Sequence, residues 1–133
     1  MSISEKLPSR LELIPEFVKV LMKKIEPSLT KKEDMFNMKL CLEESLTNAV
    51  RHGNKSNPDL FVEVNIDIKV DRVIIKVENQ GKGFDFKKVP DPTEDANIQR
   101  SSGRGVFLIK NLMDEVDFFD NGRGIKMVKI FNK

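Results

Sequence analysis

The segment from Cys41 to Gly53 contains residues whose types and spacing suit chemistry. Taken as helix at about 100° per residue, this segment places Glu44 and Asn48 four positions apart on one face. A carboxylate there can accept a proton, and a carboxamide oxygen is a ligand for a hard cation such as Mg²⁺. Such a pair alone is more typical of a solvated helix face, so other segments must decide.

The rest of the helix divides into two sectors. Cys41, Arg51 and His52 share the sector of Glu44 and Asn48, whereas the opposite sector is apolar and contains Met35, Met38, Leu42, Leu46 and Ala49. Arg51 suits either a phosphate contact or a pair with a carboxylate. Cys41 is predicted to be a small buried filler, and His52 a capping or surface histidine.

Two pairs of glycines mark a second group of candidates. Gly81 and Gly83 follow a predicted strand, where they let the backbone approach a ligand closely. Gly103 and Gly105 open a predicted helix, whose free N–H groups and dipole attract anions. The polar segment 86–102 between them is typical of a mobile lid. With the polar helix face, these pairs favour a magnesium nucleotide held between helices and sheet.

Helical elements are predicted in the first third of the chain. The segment 3–13 suits an edge strand or an extended arm, and Pro15 then begins a short amphipathic helix that stops at Pro27. Thr30 and Glu33 have the spacing of a capping box that opens the long helix. We expect that helix to reach about His52, with Gly53 closing it in the left-handed conformation.

The remainder alternates with a period of two. Strands are predicted over 60–70 and 73–77 as a hairpin, and over 116–119 and 125–130 as a second hairpin about Asn121-Gly122. A helix from Ser101 to about Met113 lies between them. The sheet has one polar and one apolar face, so the pattern predicts an α+β, two-layer sandwich with a mixed, mostly antiparallel sheet and helices on one face.

Composition limits the class of protein. The 133 residues suit a single domain spanning 1–133, and 23 basic against 21 acidic residues give a net charge of +2, which favours neither direct nucleic-acid nor membrane binding. One cysteine excludes an internal disulfide, and there is neither a signal-peptide pattern nor a bilayer-spanning apolar run. A cytoplasmic location is expected.

Three boxes in this order resemble a known family. Glu44-x-x-x-Asn48-Ala49, Asn79-x-Gly81-x-Gly83-Phe84 and Gly103-Arg104-Gly105 resemble the N, G1 and G2 boxes of Bergerat-fold (GHKL) ATPases. The wording is most similar to anti-sigma-factor serine kinases of the RsbW type, particularly over 102–109 and 112–116. The resemblance extends from the Pro15 helix to Val128.

The resemblance implies a role for each matching residue. Glu44 would be the general base that takes the proton of a protein serine, and Asn48 would bind the Mg²⁺ that bridges the ATP phosphates. Nucleotide contacts would come from Arg51, Asn79, Gly81, Gly83, Ser102, Gly103, Arg104 and Gly105, the last four at the phosphates. Such proteins bind a sigma factor, phosphorylate a STAS anti-anti-sigma protein and commonly form homodimers.

Two departures from the family pattern fall in the base pocket. Asn79 stands where the G1 box has an Asp that accepts from the adenine amino group, and Gly122-Arg123-Gly124 stands where the family usually has a Thr. An amide lacks the charge assistance of a carboxylate, worth about 1 kcal/mol. The alternative is therefore a degenerate, non-catalytic module that binds a regulator, with weakened or no nucleotide binding.

Overall fold

The computed structural model describes residues 1–81 and 101–131, with residues 101–104 described by their backbone alone. The strands are β1 (Ser2–Pro8), β2 (Phe61–Ile68), β3 (Arg72–Asn79), β4 (Glu115–Phe119) and β5 (Gly124–Ile130), and the helices are α1 (Ile14–Ile25), α2 (Lys32–Asn48) and α3 (Ser101–Leu112). The strands form one sheet in the order β1-β2-β3-β5-β4, and each described pairing is antiparallel. The predicted α+β fold is confirmed, but the sheet is antiparallel in all of its described pairings rather than mixed.

One face of the sheet is buried against the helices. Alternate residues of the paired strands supply it, so that Ile66 of β2 stands opposite Ile75 of β3, which in turn stands opposite Met127 of β5. These side chains belong to the same core as Leu42 and Leu46 of α2, which are fully buried. The alternation seen in the sequence therefore separates a core face from a solvent face.

The N-terminal segment is an edge strand, as expected, but a shorter one. β1 ends at Pro8, and residues Leu11–Leu13 form a 3₁₀ turn that leads into α1. Pro15 occupies the first turn of α1, where its missing N–H is harmless. The predicted stop at Pro27 is confirmed, because a 3₁₀ turn over Glu26–Ser28 follows α1.

The predicted capping box at the start of α2 is wrong. The N-cap residue is Lys31, in an extended conformation and without a side-chain cap, so Thr30 lies one position too early to serve. Glu33 and Asp34 lie in the first turn instead, where acidic side chains interact favourably with the helix dipole. The start of α2 is thus stabilised by charge rather than by a reciprocal cap.

The predicted end of α2 is also wrong in its geometry. The α-helix stops at Asn48, and Ala49–Gly53 form a single π-turn that the Asn54 N–H closes on the Ala49 carbonyl at 2.8 Å. Gly53 does not adopt a left-handed backbone. That conformation falls on Lys55 and Ser56, with φ of 50° and 55°. The wider turn displaces the chain after Asn48 relative to a regular helix.

A partly buried lysine connects α2 and α3 to the sheet. Lys129 of β5 donates to the Leu112 carbonyl at the end of α3 at 3.0 Å, and its Nζ lies 3.8 Å from Asp34 of α2. A cation at the C-terminus of a helix is favoured by the dipole. Lys129 therefore fixes the far end of α3, whose opposite end reaches the candidate site.

Candidate functional site

Glu44 and Asn48 lie side by side on α2 and are both half-buried. The first turns of α3 pass directly over them. A Cβ atom added at Gly105 would stand 2.7 Å from Glu44 Oε2, which would have to shift, and 3.2 Å from Asn48 Nδ2, which is a tight contact. We call these three residues the helix wall. The sequence pattern places them in two separate boxes, and the fold brings them into contact.

A small cavity, partly open to solvent, adjoins the helix wall at Asn48. Its lining combines Ser45 and Asn48 of α2, Ala49 of the π-turn and Val106 of α3 with Val77, Asn79, Phe118, Arg123 and neighbouring residues of the sheet and the last hairpin. The cavity thus lies between the helices and the sheet, where the sequence predicted a ligand. Apolar walls with a few polar groups are typical of sites for small molecules.

The opposite side of the cavity is organised by Asn79, which is 6% exposed. Its backbone N–H and its Nδ2 both donate to the Arg123 carbonyl at 2.9 Å, and its Oδ1 accepts from the Gly81 N–H at 3.1 Å. We call Asn79, Gly81 and Arg123 the sheet wall. The donation from Nδ2 to the Arg123 carbonyl is a contact that an ionised Asp at this position could not make.

The glycines at this wall are required by close packing. A Cβ at Gly53 would collide with the Asn79 side chain, and one at Gly81 would collide with the Gly53 carbonyl and lie 3.2 Å from Asn54 Cα. The end of the π-turn is therefore pressed against the end of β3. This contact joins the turn that follows α2 to the sheet wall.

Other predicted site residues lie elsewhere or outside the described residues. Arg51 is exposed on the π-turn and is not among the described residues that line the cavity. Ser102, Gly103 and Arg104 lie in the first turn of α3, whose backbone alone is described. Gly83 and almost all of the predicted lid lie outside the described residues.

Two ionisable groups near α2 have shifted pKa values. Burial raises the pKa of the Cys41 thiol to about 12; the Lys129 charge opposes this shift and Glu44 adds to it. Cys41 is therefore an unreactive filler, as predicted. Burial, together with the charges of Arg51 and Lys55, lowers the pKa of His52 below its usual value. His52 is half-buried in the π-turn rather than on the surface.

The donor set of the helix wall suits Mg²⁺ held jointly with phosphate. Asn48 offers one carboxamide oxygen beside the Glu44 carboxylate, and Mg²⁺ in phosphate sites characteristically takes few protein ligands and several from substrate and water. Among the described residues, no three His, Cys, Asp or Glu side chains converge as a metal cluster. Asn48 fits the role of a single protein ligand.

Sequence reasoning missed Asn54 and Phe118. Asn54 lies outside the three sequence boxes, yet it is 2% exposed and bonds to three segments. The sequence does not show that this Asn is buried, because its partners lie in distant segments of the chain. Phe118 lies on a strand, as predicted, but its position at the cavity depends on the order of strands in the sheet.

In the part of the chain that the structure describes, the helices are too short or too polar to cross a membrane.

Comparison with known proteins identifies related sequences. Residues 7–129 match the family described as histidine kinase-like ATPase domain. The serine-protein kinase RsbW of Staphylococcus epidermidis is 32% identical over 109 residues, which cover 76% of this chain and 69% of that protein. RsbW of Listeria monocytogenes serovar 1/2a is 32% identical over 108 residues and RsbW of Staphylococcus aureus strain JH9 is 33% identical over 109 residues, with the same coverage.

Proposed function

Because this chain belongs to the RsbW-type serine-protein kinases of the histidine kinase-like ATPase family, we propose that it is an ATP-dependent anti-sigma factor. It binds a sigma factor and phosphorylates a serine on a STAS anti-anti-sigma partner in the cytoplasm. The observation that carries the proposal is the helix wall, where Gly105 brings the phosphate-binding end of α3 onto Glu44 and Asn48. The proposed base and metal ligand thus lie beside the start of α3, and Asn48 also lines the adjoining cavity.

Glu44 acts as the general base in this proposal. Its carboxylate takes the hydroxyl proton of the partner serine as the serine oxygen forms a bond to the γ-phosphorus of ATP. The bond from that phosphorus to the β,γ-bridging oxygen breaks, and ADP leaves. Position matters more than basicity here, because most of the rate enhancement in phosphoryl transfer comes from alignment and charge neutralisation.

Asn48 and the start of α3 hold the phosphates. When Mg²⁺ is bound, it neutralises charge on the phosphate oxygens, and Asn48 is the residue that would hold it. Ser102, Gly103, Arg104 and Gly105 bind the phosphates at the N-terminus of α3, where free N–H groups and the helix dipole favour anions. Asn79, Gly81 and Gly83 contact the nucleoside. We assign Arg51, which is exposed beyond Asn48, to the outer edge of the phosphates.

Phosphoryl transfer to the cognate STAS protein tests the kinase directly. With radiolabelled ATP, we expect label on a partner serine, and we expect Glu44→Ala to lower the rate by about 10² to 10⁴. The matched control is Glu43→Ala, since Glu43 is the neighbouring carboxylate on α2 and pairs at 4.0 Å with Lys39 on the surface. Equal loss in both variants, or full activity in Glu44→Ala, would contradict the assignment.

The alternative, a binding module without phosphoryl transfer, is favoured by one observation. The Asn79 amide is already engaged by the Arg123 carbonyl and the Gly81 N–H, which reduces what it can offer to a base. Calorimetric titration with ATP, ADP and GTP in the presence of Mg²⁺ separates the two functions. Sigma-factor binding with no nucleotide heat and no label on the partner would establish the module and reject the kinase.

We also propose a homodimer. The groove between β1 and α1 contains Leu13 and Val20, which are 38% and 45% exposed, beside an edge strand paired on one side only among the described strands. Joining this surface to a second copy would bury both the apolar groove and the open edge. Sedimentation of the wild type should give a dimer, and Val20→Glu a monomer; a monomeric wild type would exclude it.

A further inference from the structure

Asn54 lies outside the three boxes and is nevertheless saturated with hydrogen bonds. Its Nδ2 donates to Ser9 Oγ at 2.8 Å and to the Phe61 carbonyl at 3.0 Å, and its Oδ1 accepts from the N–H groups of Gln80 and Gly81, each at 2.8 Å. A carboxamide has two donor hydrogens and two acceptor sites, and all four are used. At 2% exposure, the side chain has no solvent to replace a lost partner.

The two ends of this amide serve different parts of the molecule. The donor end binds Ser9, which follows β1, and Phe61, which begins β2. The acceptor end binds Gln80 and Gly81, where the chain leaves β3 at the sheet wall. The orientation is fixed by chemistry, because the Phe61 carbonyl can only accept and the two N–H groups can only donate.

Asn54 is also fixed from its own side of the chain. The π-turn holds it through its N–H bond to the Ala49 carbonyl, and the turn after it adds the bond from the Ser56 N–H to the Val50 carbonyl at 2.7 Å. The left-handed backbone at Lys55 and Ser56 makes this return possible. The side chain therefore connects the end of α2 rigidly to the end of β3.

We infer that Asn54 is a positioning residue for the nucleotide: it holds Gly81 and the sheet wall at a fixed distance from the helix wall. Gly81 in turn donates to Asn79, which binds Arg123 at the cavity, so displacement of Gly81 changes the cavity itself. The identity of the ligand as a nucleotide rests on the proposed function. The positioning role rests on the four hydrogen bonds.

Affinity for Mg-ATP in two variants tests the inference. Asn54→Ala removes both ends of the amide, whereas Ser9→Ala removes one partner of the donor end and leaves the loop bonds intact. We expect both variants to lower the melting temperature, with the Kd for Mg-ATP rising about tenfold or more in Asn54→Ala and by less than about twofold in Ser9→Ala. An unchanged Kd in Asn54→Ala, or equal losses in both, would overturn it.

Amide hydrogen exchange without nucleotide gives an independent measurement. In Asn54→Ala, the amides of Gln80 and Gly81 should lose protection while Ile75 and Val77 in β3 keep theirs. Retained protection at 80 and 81, or uniform loss along β3, contradicts the inference. If Asn54→Ala does not fold, Asn54→Asp keeps the acceptor end, and protection at Gln80 and Gly81 must then persist. A wild type that binds no nucleotide would reject the proposed function, whereas the hydrogen-exchange measurement would still test whether Asn54 holds Gln80 and Gly81 in place.

Discussion

The helix wall and the sheet wall of the cavity are held together by different means. Glu44 and Asn48 are neighbours on one helix, and Gly105 meets them because two helices pack closely. Asn79, Gly81 and Arg123 are instead held by hydrogen bonds between side chains and backbone: the Asn79 amide donates to the Arg123 carbonyl, and the Gly81 N–H donates to Asn79 and to Asn54. A methyl group added to the glycine of the helix wall meets the flexible end of the Glu44 side chain, whereas one added to the glycine of the sheet wall meets backbone atoms. The same glycine-to-alanine substitution should therefore be tolerated by the fold at the helix wall and destabilise it at the sheet wall.

The largest effect is expected at the sheet wall. In Gly81→Ala the added methyl group meets the Gly53 carbonyl and Asn54 Cα, which cannot move without opening the π-turn. We expect a loss of about 3 kcal/mol in the free energy of unfolding. Denaturant titration measures it. A loss below about 0.5 kcal/mol, the range of an ordinary surface substitution, would mean that the loop after β3 yields easily.

Gly105→Ala should separate activity from stability. The methyl group meets the end of the Glu44 side chain, which can move aside, and alanine favours a helix over glycine by up to about 1 kcal/mol. We expect unfolding free energy equal to or above that of the wild type, while phosphoryl transfer falls about 10² through displacement of the base. Unchanged transfer in this folded variant would show that Glu44 does not depend on close packing by α3.

Asn79→Asp tests the donor contact of the sheet wall. The carboxylate cannot donate to the Arg123 carbonyl and faces it with like partial charge, so we expect a loss of about 1 to 2 kcal/mol at neutral pH. Because protonation restores a donor, the loss should shrink as the pH falls toward 4. Thermal unfolding at pH 7.5 and pH 4.5 measures both effects, and a pH-independent loss would point to packing instead.

The smallest effect concerns His52 in the π-turn. Its pKa is lower in the folded chain than in the unfolded one, so the stability it contributes is complete above about pH 6.5 and is lost as the pH falls through the folded pKa. We expect His52→Gln to flatten the fall in melting temperature between pH 7.5 and pH 5. The wild type and the variant falling in parallel would contradict this expectation.

The difference between the walls also explains how far the sequence could predict the site. Periodicity placed Glu44 and Asn48 correctly, because neighbours on a helix are determined by local spacing. The strands and their two hairpins followed equally from alternation and turn residues. These contacts connect residues close together in the chain, which a single sequence reports well.

The sheet wall could not be predicted in the same way. Asn79 and Arg123 are 44 positions apart, and Gly81 is 27 positions from Asn54, so their contacts depend on the order of strands and on the shape of the π-turn. The sequence favours a conformational role for Gly53, whereas this glycine provides space for the Asn79 side chain. A glycine after a helix is compatible with either role, a left-handed backbone or close packing, so the sequence alone does not distinguish them.

The π-turn at Ala49–Gly53 sets the direction in which the residues after α2 face. One residue more than an α-turn is taken up before Asn54, so deleting a single residue here would restore regular helix and rotate the chain beyond it by about 100°. Asn54 would then leave Gln80 and Gly81, and Gly53 would no longer lie under Asn79. A surface loop tolerates insertions and deletions, but one at this point would move Gly53 and Asn54 away from the end of β3. The number of residues in the π-turn therefore maintains the alignment of the helix wall with the sheet wall.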